Sequence, residues 1–304
     1  MNAIDSFMFE YMAAPMPQMM KKSFLTLWVC LLTFGAQAQK DTLVVKDIVY
    51  AEADGKKLQL DIYKLKQHTS PYLIVWIHGG AWHSGSKENP PLGMLEHGYA
   101  LASVDFRAST DKAFPTPIHD IKAAIRFLRA NAATYGYRAD KIIIWGASSG
   151  GHLAALVATT NNHPTLEGTL GKYTSTSSSV QACIDFFGPT NFLTILNQST
   201  PHGLNVRLPA LAILLGKPVE QVPDLAKLAS PVHQVTADAP PLFIVHGEQD
   251  IQVPINQSIE LMSIYKSKNR PVQIEFIPNA GHSSPEYAKK ELMNKMAGFL
   301  KGVL

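Results

Sequence analysis

A turn of small residues, Gly146-Ala147-Ser148-Ser149-Gly150-Gly151, separates two stretches of different periodicity. Before it runs an apolar, β-branched segment, Ile142-Ile143-Ile144-Trp145, and after it residues 152–158 read as a helix. A strand that becomes a helix within so few residues leaves the corner residue in a strained backbone conformation, with its side chain standing clear of the sheet. In this G-x-S-x-G corner that residue is Ser148. Gly146 and Gly150 keep Cβ atoms out of the crowded neighbourhood. The bare pattern is weak, because small residues also gather in ordinary βα turns where the serine is filler. The rest of the chain has to decide between the two.

Its periodicity supports an α/β chain. Segments 43–50 and 58–63 read as strands joined at Asp54-Gly55, the second with the alternation of a half-buried antiparallel strand. Continuous apolar runs at 72–77, 99–104, 141–145, 180–187, 242–246 and 272–277 fit buried strands. Between or after them, 117–135, 255–268 and 285–300 have helical spacing, with Thr116 suited to the first N-cap and Gly136 to that helix's stop. Strands alternating with helices imply a mostly parallel sheet covered on both faces. The alternation breaks at about 192–234, where 208–215 and 225–228 suggest a small helical cap inserted between two strands.

Residues 1–38 read as an N-terminal extension and signal peptide: Lys21-Lys22, an apolar stretch at 23–35 too short to span a bilayer, and Ala36-Gln37-Ala38 as the cleavage site. Translation starting at Met19 or Met20 would give a conventional signal. Cys30 follows the bulky Trp28-Val29, unlike a lipidation site, so no stable membrane anchor is expected. A domain of 39–304 remains, starting near Gln39, and the chain is expected to be exported to the periplasm or medium. It retains a single cysteine, Cys183, in an apolar run, so an intramolecular disulfide is ruled out and a buried, inert thiol is expected. With 27 basic against 24 acidic residues and no basic run interleaved with aromatics, nucleic acid is not expected as a partner. No phosphate-binding loop and no metal-ligand spacing is present, so neither cofactor nor metal is expected.

An activated serine needs a base, an acid that orients it, and donors for an oxyanion. Each has a candidate just past a predicted strand. His78-Gly79-Gly80-Ala81-Trp82 follows 72–77; its glycines let backbone N–H groups turn inward, so Gly80 and Ala81, with Ser149, are the expected oxyanion donors and His78 a brace for the loop. His246-Gly247-Glu248-Gln249-Asp250 follows 242–246 and offers Asp250 as the acid, with Glu248, Asp185 and Asp105 as rivals. Asn279-Ala280-Gly281-His282 follows 272–277 and offers His282 as the base, with His152 as its rival. Trp82, Phe186, Phe187 and Phe192 are candidates to wall an acyl or alcohol pocket, with ordinary core packing an equal reading for Phe186.

These pieces, with Val104-Asp105-Phe106-Arg107 and the stretches 145–152, 185–191 and 246–254, resemble the α/β-hydrolases of the esterase/lipase group, close to carboxylesterases of feruloyl or acetyl-xylan esterase type. Gly79-Gly80-Ala81 departs from the triple glycine of the hormone-sensitive-lipase branch. The resemblance implies the order Ser148…Asp250…His282, a Ser-His-Asp triad, and hydrolysis of a small-molecule or polysaccharide-linked ester through an acyl-enzyme. Two other expectations stay open: an amide hydrolase of arylformamidase or peptidase type, and a catalytically dead hydrolase fold used as a binding module.

Overall fold

Successive residues of the inner strands go to opposite faces of the sheet, which is how a continuous apolar run feeds two cores. Along one strand Ile142 and Ile144 join the larger buried cluster while Ile143 and Trp145 join the smaller; Leu242 and Ile244 divide from Phe243 and Val245 in the same way. The structure, a computed structural model, describes residues 41–69 and 71–304; the proposed signal peptide and the start at Gln39 lie outside the described residues.

Eight strands make one sheet: β1 (Thr42–Ala53), β2 (Lys56–Leu65), β3 (Tyr72–Ile77), β4 (Tyr99–Val104), β5 (Arg138–Ala147), β6 (Ala182–Phe186), β7 (Leu242–Gly247) and β8 (Val272–Ile277). Their order is β1-β2-β4-β3-β5-β6-β7-β8. β2 runs antiparallel to β4, and from β4 through β8 every neighbouring pair is parallel. The longer helices are α1 (Thr116–Ala130), α2 (Ser149–Thr159), α3 (Pro201–Leu215), α4 (Asn256–Ser267) and α5 (Lys290–Val303). Residues of α1, α2, α3 and α4 enter the larger cluster, and α5 covers the other face with Leu292, Met293, Met296, Ala297 and Leu300. Asp54 and Gly55, with φ of 51° and 73°, make the tight turn between β1 and β2.

Several expected elements differ in extent. The helix expected over 117–135 is two, broken at Asn131 (φ −109°), whose backbone N–H at 3.1 Å and side-chain amide at 2.8 Å both donate to Phe127 O and close the first helix there. Thr116 is the first helical residue rather than the cap, which is Pro115. The helix expected over 285–300 starts as a 3₁₀ turn (Pro285–Ala288) and becomes α5 only after the extended Lys289. The strand expected over 180–187 is shorter, since Phe187 turns to φ 44°. β2 is not half-solvated as its alternation suggested: Asp61 is fully buried, its carboxylate held by Lys87 at 2.9 Å. Arg107, from the Val104–Arg107 stretch, clamps Asp120 of α1 through Nε (2.9 Å) and Nη2 (2.6 Å).

Between β6 and β7 the chain is helical for much of its length: Ile195–Gln198, α3, a 3₁₀ turn Val219–Gln221, and Pro223–Leu228. α3 is longer than its apolar 208–215 stretch foretold, starting at Pro201 behind a Thr200 cap whose Oγ accepts from Gly203 N at 3.0 Å.

Candidate active site

β3, β5, β6, β7 and β8 point the same way, so the loops that leave their C-terminal ends share one rim of the sheet. Ser148 leaves β5 with φ 56° and ψ −123°, a conformation that costs on the order of 1–3 kcal/mol and persists only when its surroundings enforce it. Here Ser148 N donates to Phe186 O at 2.8 Å, and His152 N donates to Ser148 O at 3.0 Å. A Cβ on Gly146 would lie 2.1 Å from Gly150 O, and one on Gly150 the same distance from Ile77 O, so neither position admits a side chain.

From the loop after β8, His282 reaches the serine: Nε2 lies 3.0 Å from Ser148 Oγ, and Nδ1 lies 2.7 Å from Asp250 Oδ2. A carboxylate can only accept, so Nδ1 carries the proton and Nε2 faces the serine hydroxyl as an acceptor. Asp250 follows β7, and its other oxygen accepts from Gln252 N at 2.8 Å and Val253 N at 2.9 Å. Burial alone would raise its pKa, but hydrogen bonds from His246 and His282, and the His282 charge, outweigh that and hold it well below the usual carboxylate range. Sequence reading did not separate His246 from its motif. Its Nε2 lies 3.0 Å from Val253 O and 3.5 Å from Asp250 Oδ2, while Nδ1 meets Ser258 Oγ at 2.7 Å, so it fixes the acid's loop from behind.

The loop after β3 closes the site. His78 Nδ1 donates to Gly79 O at 2.7 Å and its ring stacks on Phe106 at 4.6 Å, the brace expected of it. Gly80, at φ 117°, turns the chain so that Ser84 N and Ser84 Oγ both donate to its carbonyl. The N–H groups of Gly80 and Ala81 have no partner among the described residues, and Ser149 is the first residue of α2, where a helix leaves its N–H unpaired. A Cβ at Gly79 would sit 3.4 Å from Ser148 Cβ, which measures how close the loop comes to the serine.

The rival groups are employed elsewhere. His152 is fully buried, accepting from Trp82 Nε1 at 3.0 Å through Nδ1 and donating to Ala229 O at 2.7 Å through Nε2. Burial, reinforced by the Arg207 charge, presses its pKa down to about 4. Asp185 Oδ1 accepts from Gly188 N, Asp105 Oδ1 accepts from Lys87 N, and Glu248 is exposed. Trp82, Phe186, Phe187 and Phe192, the candidates for pocket wall, are all buried. Trp82 and Phe192 pack around His152 because the indole N–H needs a buried acceptor, and Phe187 sets its ring against His282 (4.7 Å) and Tyr287 (4.6 Å). Cys183 is buried and free.

A family model described as BD-FAE matches residues 60–265. The chain belongs to the BD-FAE family. Esterase LipQ of Mycobacterium tuberculosis is 32% identical over 245 residues, 78% of this chain and 56% of LipQ. The chain spans about half the length of the curated relatives it matches. Among solved structures, a truncated carbohydrate esterase from gut microbiota superposes with a TM-score of 0.78 at 32% identity, covering 86% of this chain and 95% of the other. A bifunctional GH43-CE protein of Bacteroides eggerthii gives 0.77 at 34% identity, covering 86% of this chain and 35% of that one. With such neighbours and this strand order, the fold is the α/β-hydrolase fold.

The BD-FAE match contains Ser148 and Asp250 but ends before His282, so the fold itself brings the imidazole to the serine. It also contains Arg207, a residue sequence reading passed over. The available signal was its isolation: it is the one Asp, Glu, Lys or Arg in the otherwise neutral α3.

Proposed function

We propose that this BD-FAE protein is a serine carboxylic ester hydrolase acting on short-chain or carbohydrate- or aromatic-linked esters. The observation that carries this reading is His282, set between Ser148 Oγ at 3.0 Å and Asp250 Oδ2 at 2.7 Å. His282 takes the hydroxyl proton as Ser148 attacks the ester carbonyl, and Asp250 holds the imidazole's tautomer and stabilises the cation that forms. The N–H groups of Gly80, Ala81 and Ser149 receive the oxyanion; one such donor is typically worth roughly 2.7–4 kcal/mol at the transition state. The alcohol leaves with the proton from His282, and water activated by the same imidazole releases the acid from Ser148.

Relatives and neighbours described as esterases favour esters over amides. The test is a panel from acetyl to long-chain and feruloyl esters, with an aryl formamide alongside, assayed on wild type and Ser148→Ala. Turnover of esters that vanishes in the variant supports the reading. Equal turnover by both proteins, or turnover of the formamide alone, overturns it. Labelling of Ser148 by a fluorophosphonate separates an enzyme from a binding module.

We also infer export, with cleavage ahead of Gln39. N-terminal sequencing of the protein recovered outside the cytoplasm supports this if it starts at Gln39, and a chain that retains residues 21–38 overturns it.

A further inference from the structure

The buried stripe of α3 runs Gly203, Arg207, Ala210, Leu211, Leu214: a cation occupies the middle of a face that is otherwise small or apolar. Its neighbour Leu208 is 52% exposed while Arg207 is 1% exposed, so the helix turns its charge inward and a leucine to solvent. That inverts the ordinary arrangement, and such local conflicts collect at functional sites. Two of the guanidinium nitrogens, Nε and Nη1, are buried with no hydrogen-bond partner, and among the described residues no carboxylate forms an ion pair with it. Its Cζ stands 5.8 Å from the Trp82 ring centroid, a contact that offsets only part of the cost of removing a cation from water. Burial lowers its pKa to about 10, which leaves it charged at neutral pH, and the charge it senses most is Asp250.

Its position is set by the site. Trp82 directly follows Ala81 in the loop after β3. One turn before Arg207, α3 lies on the loop of the acid: a Cβ on Gly203 would sit 3.0 Å from Ile251 O, and Thr200 Oγ1 donates to Ile251 O at 2.8 Å. Arg207 is thus held over Trp82, near His152 and near Asp250.

We propose that Arg207 is the seat for a carboxylate carried by the ester substrate, making this a hydrolase that prefers anionic esters. The inference rests on the ester-hydrolase reading above and goes beyond it by naming a substrate charge. A carboxylate oxygen accepts from the idle N–H donors, and the ion pair forms in a site that excludes water, where it is strongest. The carboxylate can belong to the acyl group, as in a half-ester of a dicarboxylic acid, or to the alcohol, as in an acidic sugar.

The experiment uses two matched pairs: mono-4-nitrophenyl succinate against 4-nitrophenyl butyrate, and acetylated glucuronic acid against acetylated glucose. Wild type, Arg207→Gln and Arg207→Lys are compared by the ratio of kcat/KM, anionic over neutral. In one pair the ratio is expected to fall about 10- to 100-fold in Arg207→Gln, chiefly through KM, and to recover in part in Arg207→Lys. The pair affected names the source of the carboxylate. Ratios unchanged by Arg207→Gln in both pairs overturn the proposal. If Arg207→Gln does not fold, calorimetric titration of wild type decides: binding of free succinate or glucuronate that glucose does not imitate supports the seat, and no such binding overturns it. A wild type that hydrolyses no ester sinks the function reading, and the same titration then judges Arg207 on its own.

Discussion

The indole N–H of Trp82 donates to Nδ1 of His152 at 3.0 Å. That bond ties the loop after β3 to α2, and so ties the proposed oxyanion donors at Gly80 and Ala81 to the helix that starts beside Ser148. Trp82→Phe keeps a ring in the cluster with Phe192 but leaves His152 Nδ1 buried with no donor. An orphaned buried acceptor costs about 1–3 kcal/mol. Chemical denaturation is expected to give a loss in that range, and kcat on an acetyl ester to fall about tenfold as Ala81 loses its anchor.

Asp250→Asn keeps the shape of the acid and removes its charge. His282 then has no reason to keep its proton on Nδ1, and kcat is expected to drop on the order of 10⁴-fold, with KM little changed. The same group sets a pH dependence. Its folded pKa lies below the ordinary 3.8, so its charge stabilises the fold in full above 3.8, and the contribution is lost progressively as pH falls from there through the lower folded value. Unfolding followed from pH 6 to pH 2 is expected to show a steeper acid loss in wild type than in Asp250→Asn.

Gly79→Ala tests the loop without straining it, because Gly79 is not among the glycines at positive φ. The added Cβ meets Ala147 O at 3.1 Å and Ser148 Cβ at 3.4 Å, a contact relieved by a shift of a few tenths of an ångström. Stability is expected to change by less than about 1 kcal/mol while kcat falls about 10- to 100-fold, since catalysis is more sensitive to misplacement than folding is. Gly80→Ala makes the contrast: φ 117° and a Cβ 2.2 Å from Ser84 O forbid that side chain outright, and soluble protein is not expected.

The mostly parallel sheet and the meeting of Ser148, His282 and Asp250 were legible in the sequence because each depends on local signals. The apolar runs at 72–77, 141–145, 242–246 and 272–277 were each followed by a glycine-bearing loop, and strands that run parallel place those loops on one rim. The groups behind the site were not legible. His246 lies within a strand whose apolar pattern hides it, and its bonds to Val253 and Ser258 come from a turn and a helix that periodicity cannot orient. The bond from Trp82 Nε1 to His152 was not legible either, because composition cannot say which buried acceptor an indole N–H will find. Asp61 misled because the alternation of β2 cannot anticipate Lys87 folding back over it.

Asp185 lies on β6 next to the serine corner, and its carboxyl is fully buried with Oδ1 accepting from Gly188 N at 2.9 Å and Oδ2 unpartnered. Burial pushes its pKa up to about 6 from 3.8, against the Gly188 hydrogen bond and the charge of His246. Between those two values the folded chain keeps a proton that the unfolded chain has released, so stability declines as pH rises through the window and the full penalty stands above it. A shift of that size corresponds to on the order of 3 kcal/mol at pH 8. Asp185→Asn keeps the acceptor for Gly188 N and cannot ionise. It is expected to be more stable than wild type at pH 8, with the difference shrinking toward zero near pH 4, as read by denaturant midpoints at both pH values. An advantage that is independent of pH would mean that burial does not raise the Asp185 pKa in the folded chain.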